Sequence, residues 1–208
     1  MQLGIIGAGN VGNALATGWI RAGHAITFGI RDTSAPPKGP AGAMYASVAD
    51  AARGAPVVVL ATPWQSVPAA LAAAGDLASK VLIDCTNPLR MGAAGLELDI
   101  GHTTSGGEYV ASLARDASVF KTLNQTGFAN MELARNFAAV PAIMYVAGDD
   151  DAQKPMVLSL VSDLGFDAID AGPLRVARLL EPLAMLWIHM ALDRGQPMSR
   201  AFALAERS

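Results

Sequence analysis

The residues near the start of the chain best suited to chemistry are Gly7-Ala8-Gly9-Asn10-Val11-Gly12. They follow the apolar run Leu3 to Ile6 and open a helical run from Val11 to Ala22. Strand, glycine turn and helix stand in the order a dinucleotide requires. Gly7 allows the tight turn, Gly9 has no Cβ to hold the backbone off a pyrophosphate, and Gly12 lets the helix lie close to the strand. The free N–H groups and dipole at the helix front favour the phosphates.

The cofactor is chosen at the end of the second strand, Ala25 to Gly29, where Ile30-Arg31-Asp32 follows. An acid there accepts the ribose hydroxyls of NAD, and an arginine pairs with the 2′-phosphate of NADP. Arg31 is the better placed of the two, so NADP is expected, with NAD the alternative. Two further strand exits make neighbouring lips over one crevice. Val57 to Leu60 ends in Ala61-Thr62-Pro63-Trp64, and Val81 to Asp84 ends in Cys85-Thr86-Asn87-Pro88. Trp64 reads equally as a wall beside the nicotinamide or as packing. Asn124 and Thr126, after the strand Ser118 to Leu123, lie near the reacting end of the cofactor or else serve local turns.

Stepping from strand to strand, the pattern is α/β, a Rossmann-type doubly wound and mostly parallel sheet with a small C-terminal helical portion. Residues 1–208 read as one domain, with about 148–208 as a closing and dimerising part. A short helix is expected over Ser47 to Arg53 and an alanine-rich one over Gln65 to Ala74, with Pro68 in its first turn. Met91 to Gly107 reads as a long loop ending in a capping box at Ser105-Gly106-Gly107-Glu108. Ile143 to Ala147 is a strand, and Asp149-Asp150-Asp151 suits the opening of the helix that follows. These acids carry no metal expectation, because no histidine is near. After the short strand and turn Ala168 to Pro173, a helical stretch carries Arg175, Arg178 and Glu181 on one side and then turns apolar nearly all round. Such a helix needs a cover, from its own sheet, a second subunit or a bound aromatic cofactor, and of these a homodimer interface bordering the site is expected.

Composition narrows the partners. The formal net charge is -3, with no Lys/Arg cluster, which argues against nucleic acid. The apolar tract Leu183 to Leu192 falls well short of the ~20 residues that span a bilayer. The only cysteine, Cys85, and a first strand starting close to Met1 point to a cytoplasmic protein. The chain has three histidines and no recognisable nucleophile–base pair.

Together these residues resemble the NADPH-dependent 8-hydroxy-5-deazaflavin oxidoreductases and their bacterial dinucleotide-binding relatives. A more distant resemblance is to the cytosolic reductase domain of the six-transmembrane ferric reductases. The likeness covers nearly the whole length. It rests on Gly7 to Gly12, Gly23-His24, Arg31, Thr62-Pro63-Trp64, Ser105 to Glu108 and Gly148-Asp149-Asp150. Above all it rests on Asp170-Ala171-Gly172-Pro173-Leu174 followed by Arg178-Leu179 and Glu181. Ile30 stands where relatives tend to carry serine or asparagine. The resemblance implies NADP at the sheet edge and a tricyclic acceptor, deazaflavin or flavin, packed against the nicotinamide, often in a homodimer. Two other readings remain: a small imine or carbonyl reductase of the pyrroline-carboxylate or β-hydroxyacid type, and a non-catalytic NADP-binding sensor.

Overall fold

The computed structural model describes residues 1–93, 95–137 and 140–207. The chain begins with β1 (Gln2–Ile6), α1 (Asn10–Arg21), β2 (Ala25–Ile30), β3 (Met44–Ser47), α2 (Val48–Arg53) and β4 (Val57–Leu60). It continues through α3 (Val67–Ala74), β5 (Val81–Asp84), β6 (Leu89–Gly92), β7 (Gly95–Leu98), α4 (Gly106–Leu113) and β8 (Ser118–Lys121). The last elements are α5 (Phe128–Glu132), β9 (Ile143–Gly148), α6 (Lys154–Asp163), β10 (Asp167–Gly172) and α7 (Ala177–Leu192).

Eight strands form one sheet in the order β10-β9-β8-β5-β4-β1-β2-β3. Every neighbouring pair is parallel except β8 and β9. This is the doubly wound Rossmann-type sheet expected. Side chains on a strand point alternately to its two faces, and parallel strands are covered on both. Accordingly Leu3, Ile5, Val57, Val59 and Ile83 pack with Leu15 and Trp19 of α1 and Leu160 of α6. Ile6, Val58, Leu60 and Leu82 pack on the other side with α2, α3 and Val110 of α4. The strand order reverses at β1, which has β2 on one side and β4 on the other. Ligands of open α/β sheets bind at such a point, outside the carboxyl ends of the strands.

Helix α1 ends where the sequence stops it. Gly23 takes φ +91°, the N–H of His24 donates to Trp19 O, and the N–H of Gly23 donates to Ile20 O. These bonds satisfy carbonyls the last turn would leave bare.

The structure corrects three expectations and adds one strand. Met91 to Gly107 is no plain loop, because its first part pairs as the antiparallel hairpin β6–β7, with Leu89 opposite Leu98. Its glycines hid the alternation that marks a strand. Strand β3 was not foreseen either, being four residues long and never fully buried. Helix α6 starts at Lys154, three positions beyond the acids. Of these, Asp150 alone caps the turn, accepting from the N–H groups of Ala152 and Gln153, while Asp149 accepts from Leu174 N. Finally, Arg175, Arg178 and Glu181 do not share one polar side, for Glu181 is 1% exposed and faces the sheet.

Candidate functional site

At the switch point the chain leaves β1 through Gly7, at φ +110°, a conformation that favours glycine. The N–H of Ala61 donates to Ile6 O at 2.9 Å, so the exits of β1 and β4 stand side by side. Beside them lies a cavity of about 520 Å³ bordered by Gly7, Ala8, Gly9, Arg31, Thr62 and Pro63. Ala61 lines it too, and its far wall is the alanine face of α3. Asn10, Val11 and Gly12 form the first turn of α1.

The two glycines of that turn are small for different reasons. A Cβ on Gly12 would run into the carbonyl oxygen of Gly7, so packing alone demands a glycine there. A Cβ on Gly9 would meet nothing within 4 Å. Gly9 also has φ -81° and ψ -167°, ordinary extended backbone that any residue adopts. Neither packing nor backbone conformation explains glycine at position 9, whereas a group seated against the backbone there would. The helix front is also prepared for an anion: α1 has no side-chain cap and no acidic residue in its first turn. Its leading N–H groups and positive dipole end are therefore not answered by the protein's own side chains.

Arg31 and Asp32 both border the cavity but are differently engaged. Asp32 Oδ1 accepts from the N–H and the hydroxyl of Ser34, at 3.0 and 2.6 Å, and these bonds hold its carboxyl below the usual range. Among the described residues no carboxylate pairs with Arg31. The Thr62 hydroxyl has no protein partner. An arginine without a counter-charge, an unbonded hydroxyl and a bare helix front fit a phosphate-rich dinucleotide carrying an extra phosphate.

Trp64, Asn87 and Pro88 stand beyond the cavity. The indole N–H of Trp64 donates to Asp99 Oδ2 at 2.9 Å, and its ring meets Tyr109 edge-on at 5.5 Å. The N–H of Asp99 donates to Pro88 O at 2.7 Å. Asp99 thus joins the two lips, and the hairpin is fastened to them at its base. Asn87 and Asn124 exchange bonds: Asn87 Nδ2 donates to Asn124 O, and Asn124 Nδ2 donates to Asn87 Oδ1, both at 3.0 Å. Thr126 Oγ1 accepts from Asn130 Nδ2 at 2.8 Å. Between β8 and Asn124, the fully buried Leu123 has φ +58°, a strained conformation for a bulky residue. Position and strain together show that this exit is held by its surroundings.

Sequence reading missed one polar centre. Lys121, Asp84 and Glu181 are almost wholly buried, and Lys121 Nζ lies 2.9 Å from Asp84 Oδ2 and 2.9 Å from Glu181 Oε1. It also donates to Thr86 O at 2.6 Å. The Glu181 carboxylate accepts from the N–H groups of Gly106 and Gly107 at 2.8 and 2.9 Å, at the front of α4. Burial opposes the charge on Lys121, but the flanking carboxylates of Asp84 and Glu181 outweigh it and raise the ammonium's pKa. The available signal was a lone charge closing each of two apolar strands, Asp84 in β5 and Lys121 in β8, which are register partners. Among the described residues, no cluster of His, Cys, Asp and Glu offers a metal site.

Comparison with known proteins agrees with this geometry. The family model described as NADP oxidoreductase, coenzyme F420-dependent, matches residues 2–88. A crystal structure from Arthrobacter sp. FB24, provisionally assigned as an F420-dependent NADP-reductase, is 33% identical, with a TM-score of 0.89. The match covers 99% of this chain and all of that one. Metalloreductase STEAP3 of Rattus norvegicus is 28% identical over 193 residues, 89% of this chain. The chain spans only 37% of the length of that protein. A reductive aminase from Aspergillus terreus, solved with NADPH and ethyl levulinate, shares the fold at 24% identity and a TM-score of 0.67. That match covers 93% of this chain and 62% of the aminase.

Proposed function

The chain belongs to the coenzyme F420-dependent NADP oxidoreductase family and is an NADP-dependent oxidoreductase, and on that premise we propose that it moves a hydride between NADPH and a flat deazaflavin- or flavin-type acceptor. The observation that carries the nucleotide half is Gly9, whose missing side chain leaves open space beside an uncapped helix front. In this reading the pyrophosphate lies over Gly7, Ala8 and Gly9, with the turn Asn10 to Gly12 behind it. Arg31 takes the 2′-phosphate.

When bound, NADPH supplies the hydride from C4 of its nicotinamide. The protein then has to hold two rings at contact distance and keep them oriented. Ala61, Thr62 and Pro63 border one side of the nicotinamide end, Asn87 and Pro88 the other, and Trp64 is braced there by Asp99 and Tyr109. Asn124 and Thr126 lie on the acceptor side, with Asn124 anchored by Asn87. No side chain of the site needs to act as acid or base for a transfer between two such rings.

The proposal extends to a homodimer and a cytoplasmic setting. Leu186 and Met190 expose an apolar face on α7, 50% and 40% accessible, which a second copy would cover. Among the described residues no helix is long and apolar enough to cross a membrane.

The test follows absorbance of the nicotinamide band with NADPH and, in turn, the deazaflavin, FMN and a small cyclic imine. Oxidation with either flat acceptor is expected. Turnover with the imine alone would replace this reading with that of an imine reductase, and binding of NADPH without turnover of any acceptor would favour a sensor.

A further inference from the structure

The antiparallel ladder between β8 and β9 is short, with Phe120 opposite Gly148 and Lys121 opposite Ala147. Beyond it a side chain takes over the pairing. Gln125, 2% exposed, accepts from the N–H of Tyr145 through Oε1 and donates to Tyr145 O through Nε2, both at 3.0 Å. A backbone N–H only donates and a backbone carbonyl only accepts, so these two bonds decide which end of the Gln125 amide is oxygen.

The polarity set there passes along a chain of amides. Gln125 Nε2 also donates to Asn124 Oδ1 at 3.0 Å, which turns Asn124 Nδ2 toward Asn87 Oδ1 at 3.0 Å and Leu180 O at 3.4 Å. Asn87 Nδ2 completes the chain by donating to Asn124 O. Asn124 is 3% exposed and has both of its amide hydrogens in use. Turning any one amide over would set oxygen against oxygen and nitrogen against nitrogen, in a buried place where an unmade hydrogen bond is costly.

Asn87 is the half-buried end of this chain, at the exit of β5. Its oxygen and the hydrogen on the same edge of the amide face Asn124. The second Nδ2 hydrogen lies on the edge away from Asn124, and among the described residues no acceptor takes it. The N–H of Cys85 donates to Leu60 O at 3.1 Å, so the exit of β5 runs beside the strand that leads into Ala61 and Thr62. We propose that Gln125 is a positioning residue for the nicotinamide: through Asn124 it holds the Asn87 amide so that a hydrogen, not an oxygen, meets the carboxamide oxygen of the cofactor. This rests on the hydride-transfer reading above, which puts Asn87 at the nicotinamide end. Gln125 itself touches no cofactor and acts only through the two asparagines.

The test compares NADPH with its thionicotinamide analogue, in which sulfur, a weak acceptor, replaces the carboxamide oxygen. Equilibrium affinities are read by calorimetry for the unaltered chain, Gln125→Met and Asn87→Ala. The unaltered chain should bind NADPH about threefold to tenfold tighter than the analogue, and in both variants that ratio should fall to near one. Affinity for 2′,5′-ADP, which has the extra phosphate but no nicotinamide, should be the same in all three. A merely structural role would not single out the sulfur. Should Gln125→Met fail to melt cooperatively, Gln125→Ala takes its place. The gap it leaves beside Tyr145 N–H, Tyr145 O and Asn124 Oδ1 suits a water, which can donate or accept and so fixes no direction. Equal affinity for NADPH and the analogue in the unaltered chain, a ratio that survives substitution of Gln125, or loss of 2′,5′-ADP binding in both Gln125 variants overturns the proposal. Turnover is scored separately. A Gln125-dependent ratio without NADPH oxidation by any acceptor would keep the positioning role and remove the hydride-transfer reading. Oxidation without the ratio would do the reverse.

Discussion

Glu181 of α7 and Lys121 of β8 lie 2.9 Å apart with essentially no solvent contact, and Asp84 of β5 closes the same ammonium from the other side. Two carboxylates share one cation, and the remaining lone pairs of Glu181 are used at the front of α4. The arrangement fixes α7 and α4 to the end of the sheet, next to Pro88, whose ring lies 3.3 Å from the Cβ position of Gly106. Removing the cation leaves the carboxylates buried and unpaired. Lys121→Met should therefore cost about 3–5 kcal/mol of stability, read from urea unfolding. A change near zero would show that the cluster does not hold these helices in place.

The Glu108–Arg178 pair gives the fold an acid limit. The Arg178 guanidinium, with help from the Ser105 hydroxyl, holds the Glu108 carboxyl below its ordinary value of 4.5. A carboxyl with a depressed folded-state pKa contributes stability that is present above the unfolded value and lost as pH falls through the folded one. The melting temperature should thus drop as pH falls below about 4.5, and Glu108→Gln should flatten that part of the profile. Identical acid profiles for the two proteins would assign the acid loss to other groups.

Arg31 should read the extra phosphate. Replacing it with alanine removes charge-assisted hydrogen bonds worth roughly 1.5–3 kcal/mol, so NADPH affinity should fall about tenfold to a hundredfold while NADH changes little. Calorimetric titration with both nucleotides checks this. Equal losses would mean that Arg31 contributes only general positive potential.

The strand exits that border the cavity were legible in the sequence, whereas the hairpin and the buried cluster were not, for a physical reason. Gly7 to Gly12, Arg31 and the exits at Thr62 and Asn87 belong to short units in which strand, turn and helix follow one another, so spacing alone places them at one edge. The hairpin was hidden because Gly92 and Gly95 interrupt its alternation, and its partner contacts, through Asp99 to Trp64 and Pro88, are long-range. Glu181 was misplaced for a similar reason. Helical periodicity put it with Arg175 and Arg178, but the pull of Lys121 and the bare N–H groups of Gly106 and Gly107 turned it inward. Charged residues in apolar runs read as surface until their partner is known, and here the partners come from separate elements.

The central claim is that the front of α1 is left bare and side-chain-free at Gly9 to receive a pyrophosphate. Gly9→Val tests it most directly, because the backbone at position 9 accepts valine and its Cβ would meet no protein atom within 4 Å, so the variant should fold as the parent does. Calorimetric titration of Gly9→Val, with its melting curve as the control, should show no binding of NADPH or NADH. Binding of either nucleotide at the parent's affinity by the folded variant would contradict the account and move the cofactor elsewhere.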